Sequence, residues 1–487
     1  MLKFIFIQGT VILVSLILAI YGVKEVLLLT GIYGVLFYSY LAYKEMKSGE
    51  YIISPLIIYL ILSIFYIGIA SFWTYLCLIT KSFFILKLGY VDVSENVLYT
   101  MPLCLLGVLA FYTGYKLTDT KRMKYVIKAK IKKLPNFKMP LLSWLILIAI
   151  ASLIREMPNW GVPVDRLGAI YKFISVIPIL GAFFILTSHG KYKNGIFYIL
   201  PSKSRIFWAT LVVLYEIFFH ALNTGMRFPL IFTLLMFLFG VVLQNEIYIR
   251  QKYITSLKFK SMLKIGLLIT LLSAFLIFVF IPFGKEISRG GKFPEWKDFK
   301  ENVFDIQKSF PTQGIWALPS RVAISSIRAI GAVLYLRKNV EPERKVHKNF
   351  LIGLVPRVLW PDKPYVTQGA WFSTVLHIGK GTTEKTATTS TGITAIGELY
   401  WSYGLWGVIL GMMLIGFLYS LTFKIFYHNF PLHPIRMWAV GLLLIKILLW
   451  LEGEATSIFI FFVHCWVVFF PLGCFNFLKR QYKQYKN

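Results

Sequence analysis

Charge is what this chain lacks most. Only 15% of its 487 residues are charged, where a soluble protein carries about 25%. Acidic side chains are the scarcer kind, 22 Asp and Glu against 52 Lys and Arg. That deficit, set beside long apolar runs, excludes an ordinary soluble globular protein. Cysteine is scarce too. Cys77, Cys104, Cys465 and Cys474 all fall inside apolar runs, with no CxxC pair and no Cys/His cluster. A disulfide framework and a zinc site are thereby excluded. There is no internal repeat and no low-complexity stretch. A small-residue cleavage site is also lacking near the N-terminus, so its apolar run is expected to be a first span, not a removed signal peptide.

What the chain has instead is hydrophobicity: 57% apolar residues and a mean hydropathy of +0.67. A membrane crossing takes roughly 20 mostly apolar residues. On that criterion about twelve spans are expected, at 4–22, 25–43, 55–78, 98–115, 139–155, 169–187, 206–222, 229–246, 264–283, 393–423, 437–451 and 456–477. The run at 393–423 is long enough to be two elements, or a tilted helix with a polar entry. The expected fold class is an all-α polytopic membrane protein with one large extracytoplasmic loop containing amphipathic helices. Residues 1–283 carry the first nine spans, 284–392 the loop, and 393–487 the last three spans and a tail.

The net charge of +30 does not point to nucleic acid, because the basic residues lie between the apolar runs, where membrane orientation explains them. Lys44 and Lys47, the segment Lys116 to Lys138, Lys191 to Arg205, Arg250 to Lys264 and the tail Lys479 to Lys486 mark the cytoplasmic side. Both termini are then expected in the cytoplasm, and 284–392 faces outward. This loop holds Trp296, Trp316, Trp360 and Trp371, too many aromatics for a free linker. Within it, Pro319 to Arg337 has the pattern of an amphipathic helix lying at the membrane surface with its arginines turned to one side.

Three motifs carry a resemblance. The loop segment Leu354-Val355-Pro356-Arg357-Val358-Leu359-Trp360-Pro361-Asp362-Lys363-Pro364 resembles the outer-loop motif of the O-antigen and oligosaccharide-repeat-unit polymerases, the Wzy group. Thr224-Gly225-Met226-Arg227-Phe228-Pro229-Leu230 is similar to that family's Gly-x-Arg entry to a mid-chain span. Gly397-Glu398-Leu399-Tyr400-Trp401-Ser402-Tyr403-Gly404-Leu405-Trp406-Gly407 resembles the segment that opens the span after the loop, although Trp-Ser-Tyr-Gly departs from the usual flavour there. The likeness covers roughly Asn223 to Gly411. It implies an inverting, metal-independent glycosyltransferase of the GT-C type without a cofactor, in the cytoplasmic membrane. A glycan growing on undecaprenyl diphosphate would be the donor and a lipid-linked repeat unit the acceptor. Besides the bilayer, a chain-length regulator and a flippase are partners it leaves room for. An O-antigen ligase and a lipid-oligosaccharide flippase or transporter are the alternatives.

Such chemistry needs positive charge at a leaving diphosphate, and arginine supplies it in a planar fork at any relevant pH. Arg227, beside Gly225, and Arg357, between Pro356 and Pro361, are the leading candidates for catalysis. Glu398 is the candidate general base, with a helix-start carboxylate as its structural alternative. Arg289, Arg321, Arg328, Trp360, Lys363 and Tyr400 are candidates for holding the diphosphate or glycan. Glu216 and His220, four apart, suggest a relay, or side chains satisfied by each other or by a neighbouring helix, and His377 is a weaker candidate base. Lys446, Glu452, Glu454 and His464 are expected to be packing partners near the last spans. No Asp-x-Asp motif offers a metal site.

Overall fold

The structure, a computed structural model, describes residues 2–48, 50, 53–79, 87–119, 139–160, 171, 174–188, 190–193, 196–199, 203–216, 232–241, 324–340, 345–355, 359–360, 362–364, 366, 368–378, 391–427, 434–449 and 453–467. It is mostly helical. The chain opens with α1 (Leu2–Ile20), α2 (Glu25–Lys47) and α3 (Pro55–Ile79), the last with a π-helical turn at Ile64–Ile69. A small hairpin, β1 (Lys87–Leu88) and β2 (Val91–Asp92), precedes α4 (Val97–Leu117). After α5 (Leu141–Glu156) and α6 (Ile177–Thr187), a second hairpin pairs β3 (Gly190–Lys193) with β4 (Ile196–Ile199). Then come α7 (Lys203–Tyr215), α8 (Phe232–Val241), α9 (Ala329–Asn339), α10 (Val346–Leu354) and α11 (Gln368–Val375). The chain continues into α12 (Ala395–Tyr427), α13 (Pro434–Leu449) and α14 (Ala455–Val467).

Each expected span has a helix in it, except 264–283, which lies outside the described residues. Among the described residues, four helices, α2, α3, α4 and α12, are long and apolar enough to cross a membrane. Their neighbours carry outward apolar faces. On α5, Leu142, Ile146, Ile150 and Leu153 are exposed, while Trp144, Ile148, Ala151 and Arg155 are buried. Exposed residues at that spacing form one stripe of a helix, and a large exposed apolar face marks contact with something other than water.

At the centre α4 packs along α12. Gly114 and Gly416 let the two backbones touch: a Cβ at Gly114 would collide with the Met413 carbonyl, and one at Gly416 with the Phe111 carbonyl. Small residues at a crossing are how helices approach closely where lipid offers no hydrophobic drive. The C-terminal ends of α2, α4 and α12 meet in one polar cluster. Lys116 bonds Glu45 at 2.6 Å, Tyr112 donates to the same carboxylate, and Lys424 bonds Asp119 at 2.7 Å. These three helices therefore run in the same direction.

One expectation changes. The Pro319–Arg337 segment is not a surface helix where it is described. Ala329, Ile330, Gly331, Ala332, Val333, Leu334 and Leu336 are all buried, packed against α4 and α12. The apolar residues that looked like one face occupy most of the circumference, and the neighbouring spans cover them. For Glu216 the expected partner on a neighbouring helix is found. Arg155 takes it in a two-pronged bond, Nη1 to Oε2 at 2.8 Å and Nη2 to Oε1 at 2.9 Å, with both side chains buried. His220 lies outside the described residues.

Candidate functional site

Thr394 starts the site. It sits at φ 66°, and its Oγ1 accepts the Gly397 N–H at 3.0 Å, which caps the first turn of α12. The helix runs nine residues and breaks at Gly404, whose φ of 66° and ψ of −148° suit glycine alone. Arg337 adds a steric reason, because its Nη2 lies 3.2 Å from where a Cβ at Gly404 would be. The break folds the first part of α12 back on the second, so that the Leu399 carbonyl lies against Gly407. The long run at 393–423 is thus two elements joined at a glycine.

The fold-back buries Glu398. Ile396, two residues earlier, packs into the space left by Gly107 at the middle of α4. A carboxylate so placed must be paired or functional. Glu398 is 0% exposed and is held by three donors. Gln368 Nε2 gives to Oε1 at 2.8 Å, Thr456 Oγ1 gives to the same oxygen, and the Thr456 N–H gives to Oε2 at 2.9 Å. Thr456 stands in the first turn of α14. An acceptor at a helix start satisfies N–H groups that lack a partner within the helix, and the helix dipole favours its negative charge.

Glu454, in the turn before α14, repeats the arrangement on another helix: its Oε1 accepts the Gly369 N–H at 2.7 Å, in the first turn of α11. The two carboxylates accept from adjacent residues, Gln368 and Gly369, and so belong to one site. Ser457 Oγ donates to the Glu454 carbonyl at 2.9 Å and meets Lys446 Nζ at 3.4 Å. The short helix α11, the broken helix α12 and the last described helix are thus tied together by two acidic side chains.

An aromatic and cationic edge adjoins this core. Trp371 of α11 packs on Trp401 with ring centroids 5.4 Å apart. Arg337, at the end of α9, donates to the Trp401 carbonyl at 2.9 Å and lies 5.0 Å from the Tyr400 ring centroid. It is only partly buried, so the edge of the site carries a cation. An arginine held by stacking and one backbone bond keeps further donors for an anion.

Among the residues expected from sequence, Glu398 and Tyr400 meet in this site. Arg227, Arg289, Arg321 and Arg357 lie outside the described residues. Arg328 donates to the Lys87 carbonyl at 2.9 Å and so ties α9 to the β1 hairpin. The Lys363 ammonium donates to the carbonyls of Val355 at 2.7 Å and Ile352 at 3.5 Å, closing the C-terminal end of α10. Trp360 is 41% exposed. His377 lies beside Tyr90, ring centroids 5.4 Å apart. Glu454, expected as a packing partner, proves to be the second carboxylate of the site. Arg337 had no place among the sequence candidates; its signal was a basic residue at the end of a helix otherwise filled with small and apolar side chains. Comparison of the chain with protein-family models, curated proteins and solved structures finds no match.

Proposed function

We propose that this protein is a membrane glycosyltransferase that polymerises undecaprenyl-diphosphate-linked repeat units into a surface polysaccharide, by inverting, metal-independent transfer at the outer leaflet of the cytoplasmic membrane. The observation that carries the reading is the meeting of two motif-bearing regions. The helix that follows the Leu354–Pro364 motif reaches Glu398 of the Gly397–Gly407 motif through Gln368, while Arg337 lies over Tyr400 of that same motif. The resemblance of the three motifs supplies the chemistry. A sugar hydroxyl attacks the donor anomeric carbon, its proton passes to a base, and the lipid diphosphate leaves toward cationic groups.

In this reading Arg227 and Arg357 neutralise the leaving diphosphate, and Arg337, partly exposed against Tyr400, is added to them. The three donors on Glu398 favour the structural side of its two possible roles, since a general base must reach the acceptor hydroxyl. Twelve spans with both termini in the cytoplasm fit the shared direction of α2, α4 and α12, whose C-terminal ends gather among basic residues. The test is the glycan made in cells. Arg227→Ala and Arg357→Ala are each expected to abolish long chains while the lipid-linked single unit remains and the protein stays inserted. Normal chain lengths would remove that arginine from the mechanism.

A second reading has an observation of its own. Buried carboxylates level with the middle of α4, beside a helix broken at Gly404, also fit a transporter that couples a lipid-linked oligosaccharide to proton movement. It predicts translocation without any new glycosidic bond.

A further inference from the structure

An open apolar groove of about 830 Å³ lies between α10, α12 and α14, apart from the carboxylate site. Phe350 of α10, Leu414 and Leu418 of α12, and Phe459 and Trp466 of α14 line it. From Phe459 to Val467 it follows α14 for about 12 Å at the helical rise of ~1.5 Å per residue, close to one leaflet of a hydrocarbon core about 30 Å thick. Its sides are open, with Leu414 and Val467 48% and 61% exposed. Volumes of this order hold whole ligands.

One end of the groove is polar. His347 Nδ1 and the Tyr403 hydroxyl are hydrogen-bonded there at 2.5 Å, and the Val346 N–H bonds Ser402 Oγ at 3.0 Å. Lys345, His347 and Lys348 occupy the first turn of α10, which contains no acidic residue. Basic side chains are ill placed at the positive end of a helix unless an anion joins them. Glu341 and Glu343 precede the turn in sequence and lie outside the described residues. His347 lines the groove, and Lys345 and Lys348 flank it in sequence at the start of α10.

We propose that this groove is a binding site for an anionic phospholipid, whose acyl chain lies between α12 and α14 and whose phosphate sits at Lys345, His347 and Lys348. The charge at the mouth selects the headgroup, because each basic residue near a bilayer surface strengthens binding of an anionic lipid about fivefold. The walls select only for hydrocarbon. This site is independent of the proposed polymerase activity and would serve equally in a transporter.

The test uses the full chain in detergent, with retained lipid read by native mass spectrometry. Phosphatidylglycerol, phosphatidylcholine of the same acyl chains and a polyprenyl monophosphate are offered in equal amounts. Phosphatidylglycerol should be retained over phosphatidylcholine, and Lys345→Gln with Lys348→Gln should lower that preference by about tenfold or more. Leu418→Trp, which fills the groove, should lower retention of both phospholipids, and an unchanged melting temperature shows that this variant is folded. Equal retention of the two phospholipids by the natural chain would overturn the headgroup assignment. Preference for the polyprenyl phosphate would give the groove to a carrier lipid instead. Undiminished retention in a folded Leu418→Trp variant would place the lipid elsewhere.

Discussion

Glu398 reaches from α12 to the first turn of α14, where its Oε2 accepts the Thr456 N–H at 2.9 Å. These residues are 58 positions apart in sequence, and their contact joins α12 to the last described helix. With Gln368 on the same carboxylate, α11 is fastened at the same point.

That relationship makes Glu398→Ala a severe change. It strands the buried Thr456 N–H and the Gln368 amide, and each lost partner of this kind costs about 1–3 kcal/mol. Glu398→Gln keeps an acceptor oxygen for the two donors at Oε1 but turns an amide donor toward the Thr456 N–H, so it should fall between the natural chain and Ala in thermal stability in detergent. If Glu398 acts only by holding helices, the pH–rate profile of the Gln variant will keep its shape. A vanished acidic limb in that profile, where protonation of a general base lowers the rate, would assign Glu398 the proton transfer as well.

Arg155 and Glu216 give a second test. Breaking a buried ion pair from one side costs about 3–5 kcal/mol, because the remaining charge is left in a dry site, whereas an apolar pair of similar volume is often tolerated. Arg155→Met alone should lower yield and melting temperature sharply. Arg155→Met with Glu216→Leu should recover most of the loss. A double variant no better than the single would show that the two side chains are not mainly each other's partners.

The α4–α12 crossing is tested through Gly114. Ala there meets the Met413 carbonyl, so the helices must separate, and overpacking of this sort costs about 1–3 kcal/mol. Gly9→Ala is the control, since a Cβ at that position has nothing within 4 Å and removes a helix-weakening glycine. The first should lower the melting temperature, and the second should hold or raise it. Equal behaviour would remove the crossing as a point of close contact.

The helical runs were legible in the sequence because hydrocarbon and water sort side chains by polarity over some twenty residues at a time. The length of 393–423 left open two elements or one tilted helix, and the break at Gly404 shows itself only in the backbone. The burial of α9 was not legible. An amphipathic pattern says that one face is apolar, but what covers the other depends on spans that arrive from distant sequence. Glu398 was visible as an acidic residue in an apolar setting. Its meeting with Glu454 was hidden, because only the fold-back at Gly404 and the docking of α11 bring Glu398, Gln368 and the start of α14 together. Arg337 was masked for the same reason, its value lying in Tyr400 and Trp401, which are more than sixty residues later.

The most direct test of the central claim is reconstitution: purified protein in lipid vesicles, a lipid-linked oligosaccharide as sole substrate, a chelator present, and products separated on a gel. Polymerisation predicts a ladder of increasing repeat number, made without divalent metal and lost in the Arg227→Ala and Arg357→Ala variants. Substrate that changes leaflet with no ladder would contradict the account and establish the transporter.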